Sequence, residues 1–495
     1  MSLHLFNTLS GRLEEFHPLE DNLVRMYACG PTVYDYGHIG NFRTFVAVDV
    51  LRRFLKQSGY KVKHVMNITD VEDKIIRNAA RDGVSVQEYT AKYTQAFRED
   101  CDALNIEHPE ILAKATEHIQ EMAHFIAELR DKGFAYAAED GSYYFRIAKF
   151  PGYGKLSKKD FAGMTDGARV DVDEYEKDNA RDFALWKAPK PGEAQWDTEI
   201  GPGRPGWHIE CSQMSMKYLG DSFDIHAGGE DLIFPHHENE IAQSESLTGK
   251  PFVKYWVHSR FLLVEGEKMS KSAGNFFTVR DLVLMGHKPS SIRFLLMSVP
   301  HHKQLNFTFD GLTQAANSVE RLRNFKLRLQ TSKFAEGSNP AIAELAEKAS
   351  AEMRAGMEDD LNTARALGSV FDLVRDVNAE LDNGQVKQVD ALQILQVLEQ
   401  FDEIFAVMND DDAAKVRTTV EWAMGEGNSG KISPAAAETA KAASLSAVEI
   451  KKLVAEHSQA RQTRNFARSD AIRNQLAENG VILENTKDGV RWKRK

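Results

Sequence analysis

The stretch Tyr27-Ala28-Cys29-Gly30-Pro31-Thr32-Val33-Tyr34-Asp35-Tyr36-Gly37-His38-Ile39-Gly40-Asn41-Phe42-Arg43 decides how this chain folds. Cys29 closes an apolar run, Leu23 to Ala28, of the length of a short buried strand. Gly30-Pro31 breaks that run. A helical pattern then begins, with Phe42, Phe45, Val46, Val48, Leu51 and Leu55 on one side, and predicts a helix over Asn41–Leu55. Lys61–Ile68 reads as the next strand. Strand, helix and strand in this order form a right-handed β-α-β unit, the start of a doubly wound parallel sheet. Ligands of such sheets bind at the carboxyl ends of the strands, and free N–H groups at a helix start favour phosphate there. His38 and Asn41 stand at that entrance as hydrogen-bonding groups.

Working outward, 495 residues are too many for one ordinary domain, and 42% apolar content supplies several cores. A net charge of −11 excludes a generally cationic nucleic-acid coat but leaves room for a local basic face. Met1 to Ser10 has no apolar core of the signal-peptide kind, and no run is long enough to span a bilayer. A cytoplasmic protein is expected. Three cysteines, Cys29, Cys101 and Cys211, do not make a disulfide framework; reduced thiols available as metal ligands fit better.

Thr69 or Asp70 is expected to cap the helix after the second strand, with Glu72 and Asp73 in its first turn. Residues from Gly83 to Leu129 read as helical, and Gly133 to Ile147 as a β-hairpin around Asp140-Gly141. Phe150 to Gly203 reads as a loop-rich insertion between two halves of the sheet. A Gly/Pro-controlled loop then delivers Trp207 and Cys211 into a helix over Cys211–Leu219. Phe223–Ala227 is a strand, Gly228-Gly229-Glu230-Asp231 a loop that lets backbone approach a ligand, and Pro235 opens a helix carrying His236 and Glu240 on one face. Trp256–Val264 reads as another strand, followed by a cationic loop with Lys268 and Lys271. Amphipathic helices run from Leu312 to about Met408, residues 425–437 have linker composition, and the last segment is basic: Arg461, Arg464, Arg468, Arg473 and Arg491 to Lys495. The expected division is 1–114 and 204–264 for the two halves of the sheet domain and 115–203 for the insertion. A lysine-loop region (265–311), a helical bundle (312–425), a linker (426–440) and a small α/β domain (441–495) follow.

Cys29, Cys211, His236 and Glu240 are donors that Zn²⁺ prefers, each at a strand end or helix start on one sheet edge. Cys101 lies on a helix without such partners and reads as core. A zinc with room for one more ligand selects a thiolate over an alcohol oxygen.

With these residues placed, the chain resembles the class I aminoacyl-tRNA synthetases, and among them the cysteine-specific family. His38-Ile39-Gly40-Asn41 is similar to the first class signature and Lys268-Met269-Ser270-Lys271-Ser272 matches the second. Tyr27 to Tyr34, Arg204 to Cys211 and Phe234 to Glu240 carry the likeness to the cysteine-specific family. The resemblance implies a Rossmann-type α/β catalytic domain, an α-helical bundle that binds tRNA, and a small C-terminal α/β domain that reads the anticodon. It implies one Zn²⁺ on Cys29, Cys211, His236 and Glu240, and a cysteine pocket formed by Gly30, Thr69 and Trp207. ATP, entering with Mg²⁺, would meet Gly40, Gly229, Asp231 and Lys271; His38, Asn41, Lys268 and Lys271 would be catalytic. Partners would be L-cysteine, ATP and tRNA(Cys), and the enzyme a monomer. The 115–200 insertion looks too small for a separate editing domain. Asn41 departs from the histidine that commonly ends the first signature; its amide can donate to a phosphate oxygen but carries no charge.

Two other readings start from the same residues. A paralogue would use the same adenylate and pass cysteine to an amino sugar; it has no use for a helical bundle and basic tail. A zinc-stabilised RNA-binding protein without catalysis would need neither the lysine loop nor the loop at 228–231.

Overall fold

The structure is a computed structural model that describes residues 2–159, 182–190, 193–443, 445, 447–486 and 489–494. Much of the insertion, residues 160–181, and the terminal Lys495 therefore lie outside the described residues.

At its centre is a parallel sheet of five strands in the order 253–259, 223–229, 23–28, 61–68, 111–114. The chain starts in the middle, winds outward over 61–68 and 111–114, then returns and winds the other way. That is the doubly wound arrangement, and its switch point lies between the strands Leu23–Ala28 and Phe223–Gly229. The strands Leu23–Ala28 and Lys61–Ile68 have the expected bounds. Helices cover both faces, so Met26 to Ala28 and His64 to Ile68 are buried whichever face they point to.

The helix after the first strand spans Ile39–Gln57, and its buried face includes Ile39, Phe42, Phe45, Val46 and Leu51. Two buried arginines fasten it. Arg43 donates to the carbonyls of Leu296, Val299, Pro300 and Lys303. Arg293 pairs with Asp49 at 2.6 Å and donates to the carbonyls of Phe405 (2.6 Å) and Leu104 (2.9 Å). A planar guanidinium satisfies several carbonyls at once, so each arginine fixes a turn to the helix, and Asp49 balances the charge of Arg293.

Several local expectations are corrected. The helix after the second strand starts at Asp73 and is capped by Glu72, not Thr69 or Asp70. Asp70 turns the other way and accepts from the N–H (2.9 Å) and hydroxyl (2.6 Å) of Thr116. The 83–129 region is interrupted by the short strand Ile111–Lys114, which pairs with 65–68. Trp256–Val264 is two strands, Val253–Ser259 and Leu262–Val264, separated where Phe261 N–H turns to donate to Glu230 at 2.8 Å. The hairpin is present as Ala135–Ala137 and Tyr143–Phe145, and Phe183–Lys187 extends its sheet.

Helices Phe309–Thr331, Pro340–Glu358, Thr363–Asp382 and Gln388–Phe405 form the bundle. The linker-like composition of 425–437 conceals a helix, Pro434–Lys441, whose Ser433 N–H donates to Leu284 O at 2.9 Å. Two further helices and the antiparallel pair Val481–Thr486 and Gly489–Arg494 end the chain. Among the described residues, no helix is long and apolar enough to cross a membrane.

Candidate active site and metal centre

Cys29 leaves the first strand with its N–H on Ala227 O at 3.2 Å, so its thiol sits at the switch point. Gly30 follows because nothing larger fits: a Cβ there would lie 1.8 Å from the Asn67 carbonyl oxygen. Trp207 and Cys211 share one helix, Trp207–Leu219, which begins four residues earlier than expected and places them one turn apart. His236 lies not in the helix Glu238–Thr248 but in the wide turn Ile233–His237 before it. Its Nε2 is nevertheless 3.1 Å from Glu240 Oε1.

Four donors separated by up to 211 residues in sequence thus converge: ligand atoms of Cys29, Cys211, His236 and Glu240 lie within 4.8 Å of one another, all buried. The spacing suits an ion. Tetrahedral bonds of about 2.3 Å to sulfur put two thiolates about 3.8 Å apart. The Cys29 and Cys211 sulfurs are 3.9 Å apart, too far for a disulfide, and Cys29 Sγ is 3.9 Å from Glu240 Oε1. Charge supports the same reading. Burial opposes a thiolate at Cys211, but Cys29 and His236 outweigh it and bring its pKa down to about 6. Burial and the neighbouring Cys211 push Cys29 well up. Burial disfavours the Glu240 carboxylate, yet His226 and His236 pull it to about 2; burial likewise opposes charge on His236, which Cys211 and Glu240 hold at about 10. Negative donors crowded here are stabilised by whatever positive charge is at hand, which a divalent ion supplies best.

Sequence reasoning missed a histidine layer behind these donors. His237 Nε2 is 3.3 Å from Cys29 Sγ, and its Nδ1 is 2.8 Å from His258 Nε2, which continues to Thr8 Oγ1 at 2.7 Å. His226 Nε2 is 2.9 Å from Glu240 Oε2, and His208 Nδ1 is 3.0 Å from His236 Nδ1. Cys29, His226, His237 and Glu240 form a second group with ligand spacing. It contributes one thiolate rather than two and lies deeper, with His226 stacked on buried Trp256 at 4.5 Å. The first group faces outward: Cys29 keeps 8% of its surface, and Trp207, 37% exposed, stacks on His236 at 4.4 Å. The signal available for the layer was the doublet His236-His237 and the polar His226 and His258 inside apolar strands. A third group, His301, His302 and Asp360, marks a seam where Asp360 also accepts from Phe6 N–H at 2.8 Å.

The predicted nucleotide residues gather on the other side of Cys29. His38 caps the helix: its Nδ1 accepts from Asn41 N–H at 3.2 Å, and Asn41 Oδ1 accepts from His38 N–H at 3.2 Å. Asn41 is thus half of a capping box, with its amide nitrogen still free to donate. Burial first, then the charge of Lys271, lower His38 to about 4. Gly40 has no room for a side chain: a Cβ would be 2.9 Å from His38 Nδ1 and 3.2 Å from Met269 Cε. The two signature stretches therefore touch. His38 also packs on Phe276 at 5.1 Å, and Ile39 N–H donates to Phe277 O at 3.0 Å. Lys271 is paired with Asp35 at 2.6 Å, which raises its pKa. Lys268 lies exposed in the short strand Glu267–Lys268. Gly229 ends its strand against Asp231, whose Oδ1 would be 2.3 Å from a Cβ there, and close to Thr44 on the signature helix. Thr69 is buried and clamped to the Cys29 loop: its N–H donates to Pro31 O at 3.1 Å, and its carbonyl accepts from Val33 N–H at 3.1 Å.

Residues 15–317 match the catalytic domain of the class I (C) tRNA synthetases, and residues 352–409 match a DALR domain. A cysteine–tRNA ligase of Koribacter versatilis is 74% identical over 495 residues, all of both chains. The chain belongs to the class I cysteine–tRNA ligase family. A further cysteine–tRNA ligase, from Leptospira interrogans, is 44% identical over 500 residues, again all of both chains. Among solved structures, Mycobacterium tuberculosis methionyl-tRNA synthetase with methionyl-adenylate is similar at a TM-score of 0.55 and 15% identity, over 82% of this chain and 92% of that one. The LeuRS ternary complex of Agrobacterium radiobacter K84 gives 0.59 and 11%, over 81% and 86%. At such identities these two establish the class I fold alone. In this chain the buried donor cluster lies at the carboxyl end of the first strand, and the paired signature stretches follow it at the start of the next helix.

Proposed function

We propose that the chain joins L-cysteine to tRNA(Cys) in two steps at this site. The cysteine carboxylate attacks the α-phosphorus of ATP and pyrophosphate leaves. A hydroxyl of the terminal tRNA ribose then attacks the cysteinyl carbonyl and AMP leaves. The observation that carries the reading is the convergence of Cys29, Cys211, His236 and Glu240 beside the His38–Asn41 helix start. Cysteine–tRNA ligase relatives that match from end to end support tRNA as acceptor, and give an amino-sugar acceptor no support.

Activation needs charge neutralised and reactants aligned, with no acid–base pair. The N-terminal N–H groups of the signature helix favour the phosphates. His38 Nδ1 accepts a backbone N–H, so the neutral ring carries its proton on Nε2 and donates from there. Asn41 donates from its amide nitrogen. Gly40 and Gly229 let backbone approach the nucleotide, and Asp231 accepts from the ribose. Lys271 leaves Asp35 and, with Lys268, closes on the triphosphate as a gate. Cys29, Cys211, His236 and Glu240 would hold a zinc ion, which would supply a soft coordination position for the substrate thiolate. Gly30, Thr69 and Trp207 shape the rest of the cysteine pocket. Rejecting a ligand that leaves a polar site unsatisfied discriminates by about 10⁴-fold or more, so no editing site is required.

A polar cavity of about 440 Å³, whose lining includes Arg321, Arg328 and Arg491 beside Glu320 and Glu484, lies between the bundle and the last hairpin. With the basic helices carrying Arg461 to Arg473 it supports the bundle and C-terminal segment as the tRNA-binding and anticodon-reading parts. The enzyme acts in the cytoplasm as a monomer in this reading. Metal analysis joined to ATP–pyrophosphate exchange tests it: one zinc per chain and exchange driven by cysteine but not serine are expected. Exchange driven equally by serine, or by neither, defeats it.

A further inference from the structure

Glu210 precedes Cys211 and is completely buried, yet it belongs to neither group of donors with ligand spacing at the metal centre. It ends a hydrogen-bond relay that runs around the proposed cysteine pocket. Gly30 N–H donates to Asn67 Oδ1 at 2.8 Å. Asn67 Nδ2 donates to Thr69 Oγ1 at 3.1 Å, and the Thr69 hydroxyl donates to Glu210 Oε2 at 2.7 Å. The order of donors is forced as far as Thr69, and beyond it wherever Glu210 is ionised. A Gly30 N–H can only donate, so Asn67 must present oxygen to it and nitrogen to Thr69. Thr69 then spends its one proton on Glu210 and one lone pair on Asn67. Its remaining lone pair can only accept. The other carboxylate oxygen, Glu210 Oε1, is buried and has no hydrogen-bond partner.

Burial pushes the Glu210 carboxyl well above the usual carboxylate range, so its charged form is held only with a cation close by; a buried acceptor with such a carboxylate behind it calls for a cationic donor. The amino acid substrate carries one, its α-ammonium. We propose that Glu210 is a positioning residue for that ammonium: it turns the Thr69 hydroxyl proton away from the substrate, leaves a lone pair toward it, and supplies the negative charge that the ammonium balances. The proposal rests on the cysteine-activating reading above and adds how the amino end of the substrate is recognised, independently of its sulfur. Thr69→Val removes the acceptor. Glu210→Gln keeps the shape, removes the charge and lets Thr69 reverse.

The full-length enzyme is compared as wild type, E210Q, E210D, T69V and the E210Q/T69V double variant. Exchange kinetics are read for cysteine, with inhibition by 3-mercaptopropionate, which is cysteine without its ammonium, and with zinc content. E210Q and T69V are each expected to raise the KM for cysteine about 10- to 100-fold, the range of a hydrogen bond to a charged group. Their kcat values and the inhibition constant for 3-mercaptopropionate stay within about threefold, the double variant is no worse than either single, and E210D recovers part of the loss. Equal weakening of cysteine and 3-mercaptopropionate, or an unchanged KM in E210Q, overturns the proposal. If E210Q loses zinc, T69V and E210D decide by the same two ligands. A wild type without cysteine-dependent exchange overturns the activation reading itself, a different failure from a wild type that works while E210Q shows no selective loss.

Discussion

The donor cluster and the lysine loop are built on opposite principles. Cys211, His236 and Glu240 are at most 1% exposed, and each is touched by several partners. Lys271 is 64% exposed and held by one carboxylate, Asp35. A buried charge that loses a partner cannot recruit water, so the cluster has one stable geometry. An exposed ion pair contributes only about 0–1 kcal/mol, so the loop can leave Asp35 at little cost. Selection by coordination needs the first kind of construction, and a gate needs the second.

Substitutions should separate the two. The largest effect is expected from Cys211→Ala: loss of zinc and a fall of at least about 10²- to 10³-fold in cysteine-dependent exchange, as for one member removed from a buried charged set. Retention of the metal with full exchange would mean that the cluster is only packing. Lys271→Ala should lower kcat for exchange by about 10²-fold, as removing one transition-state donor does, with zinc content and melting temperature unchanged. A zinc loss there would show that the two sides are not independent. His226→Ala removes the imidazole beside Glu240 and should weaken zinc affinity about 10- to 100-fold, measured by competition with a chelator, while ATP binding is unchanged. Asn41→His should change exchange by less than about tenfold, because His38 N–H loses one cap acceptor while the helix start survives; a collapse would make the Asn41 amide essential to the transition state.

The smallest effect concerns pH. His38 is held near 4, below its unfolded value, so its neutral form is the one the fold favours. The unfolded chain binds the proton first as pH falls, so this contribution to stability is full above about 6.5 and is lost between about 6.5 and 4. Exchange should accordingly show no titration of His38 between pH 6 and 8. An inflection there that vanishes in His38→Asn would contradict the neutral donor.

The same contrast explains what could be read beforehand. Cys29, Cys211, His236 and Glu240 announce themselves because thiol, imidazole and carboxylate at strand ends and helix starts are few. The lysine loop announces itself as a contiguous motif. His226, His237 and His258 do not, because a histidine inside an apolar strand looks like any core histidine until its neighbours across the sheet are known. The strand Ile111–Lys114 was hidden for a related reason: four residues have no periodicity of their own, and their shape comes from pairing with 65–68. The Gly/Ser/Ala/Pro run at 425–437 misled because composition reports flexibility of the free chain, whereas Gly286 packs there against Ala435. The relay through Asn67, Thr69 and Glu210 joins three separate segments and has no local signature.

Glu238 has a mechanical consequence. Completely buried at the start of the helix that carries Glu240, it accepts the N–H groups of Gly154 (2.9 Å), Leu156 (3.1 Å) and Ser157 (2.8 Å). Three amide donors on one carboxylate act as a rivet: the stretch Gly154–Ser157 must travel as a single body with the donor helix. A push delivered to the insertion near residue 155 therefore reaches Glu240, two positions along that helix and one of the four clustered donors.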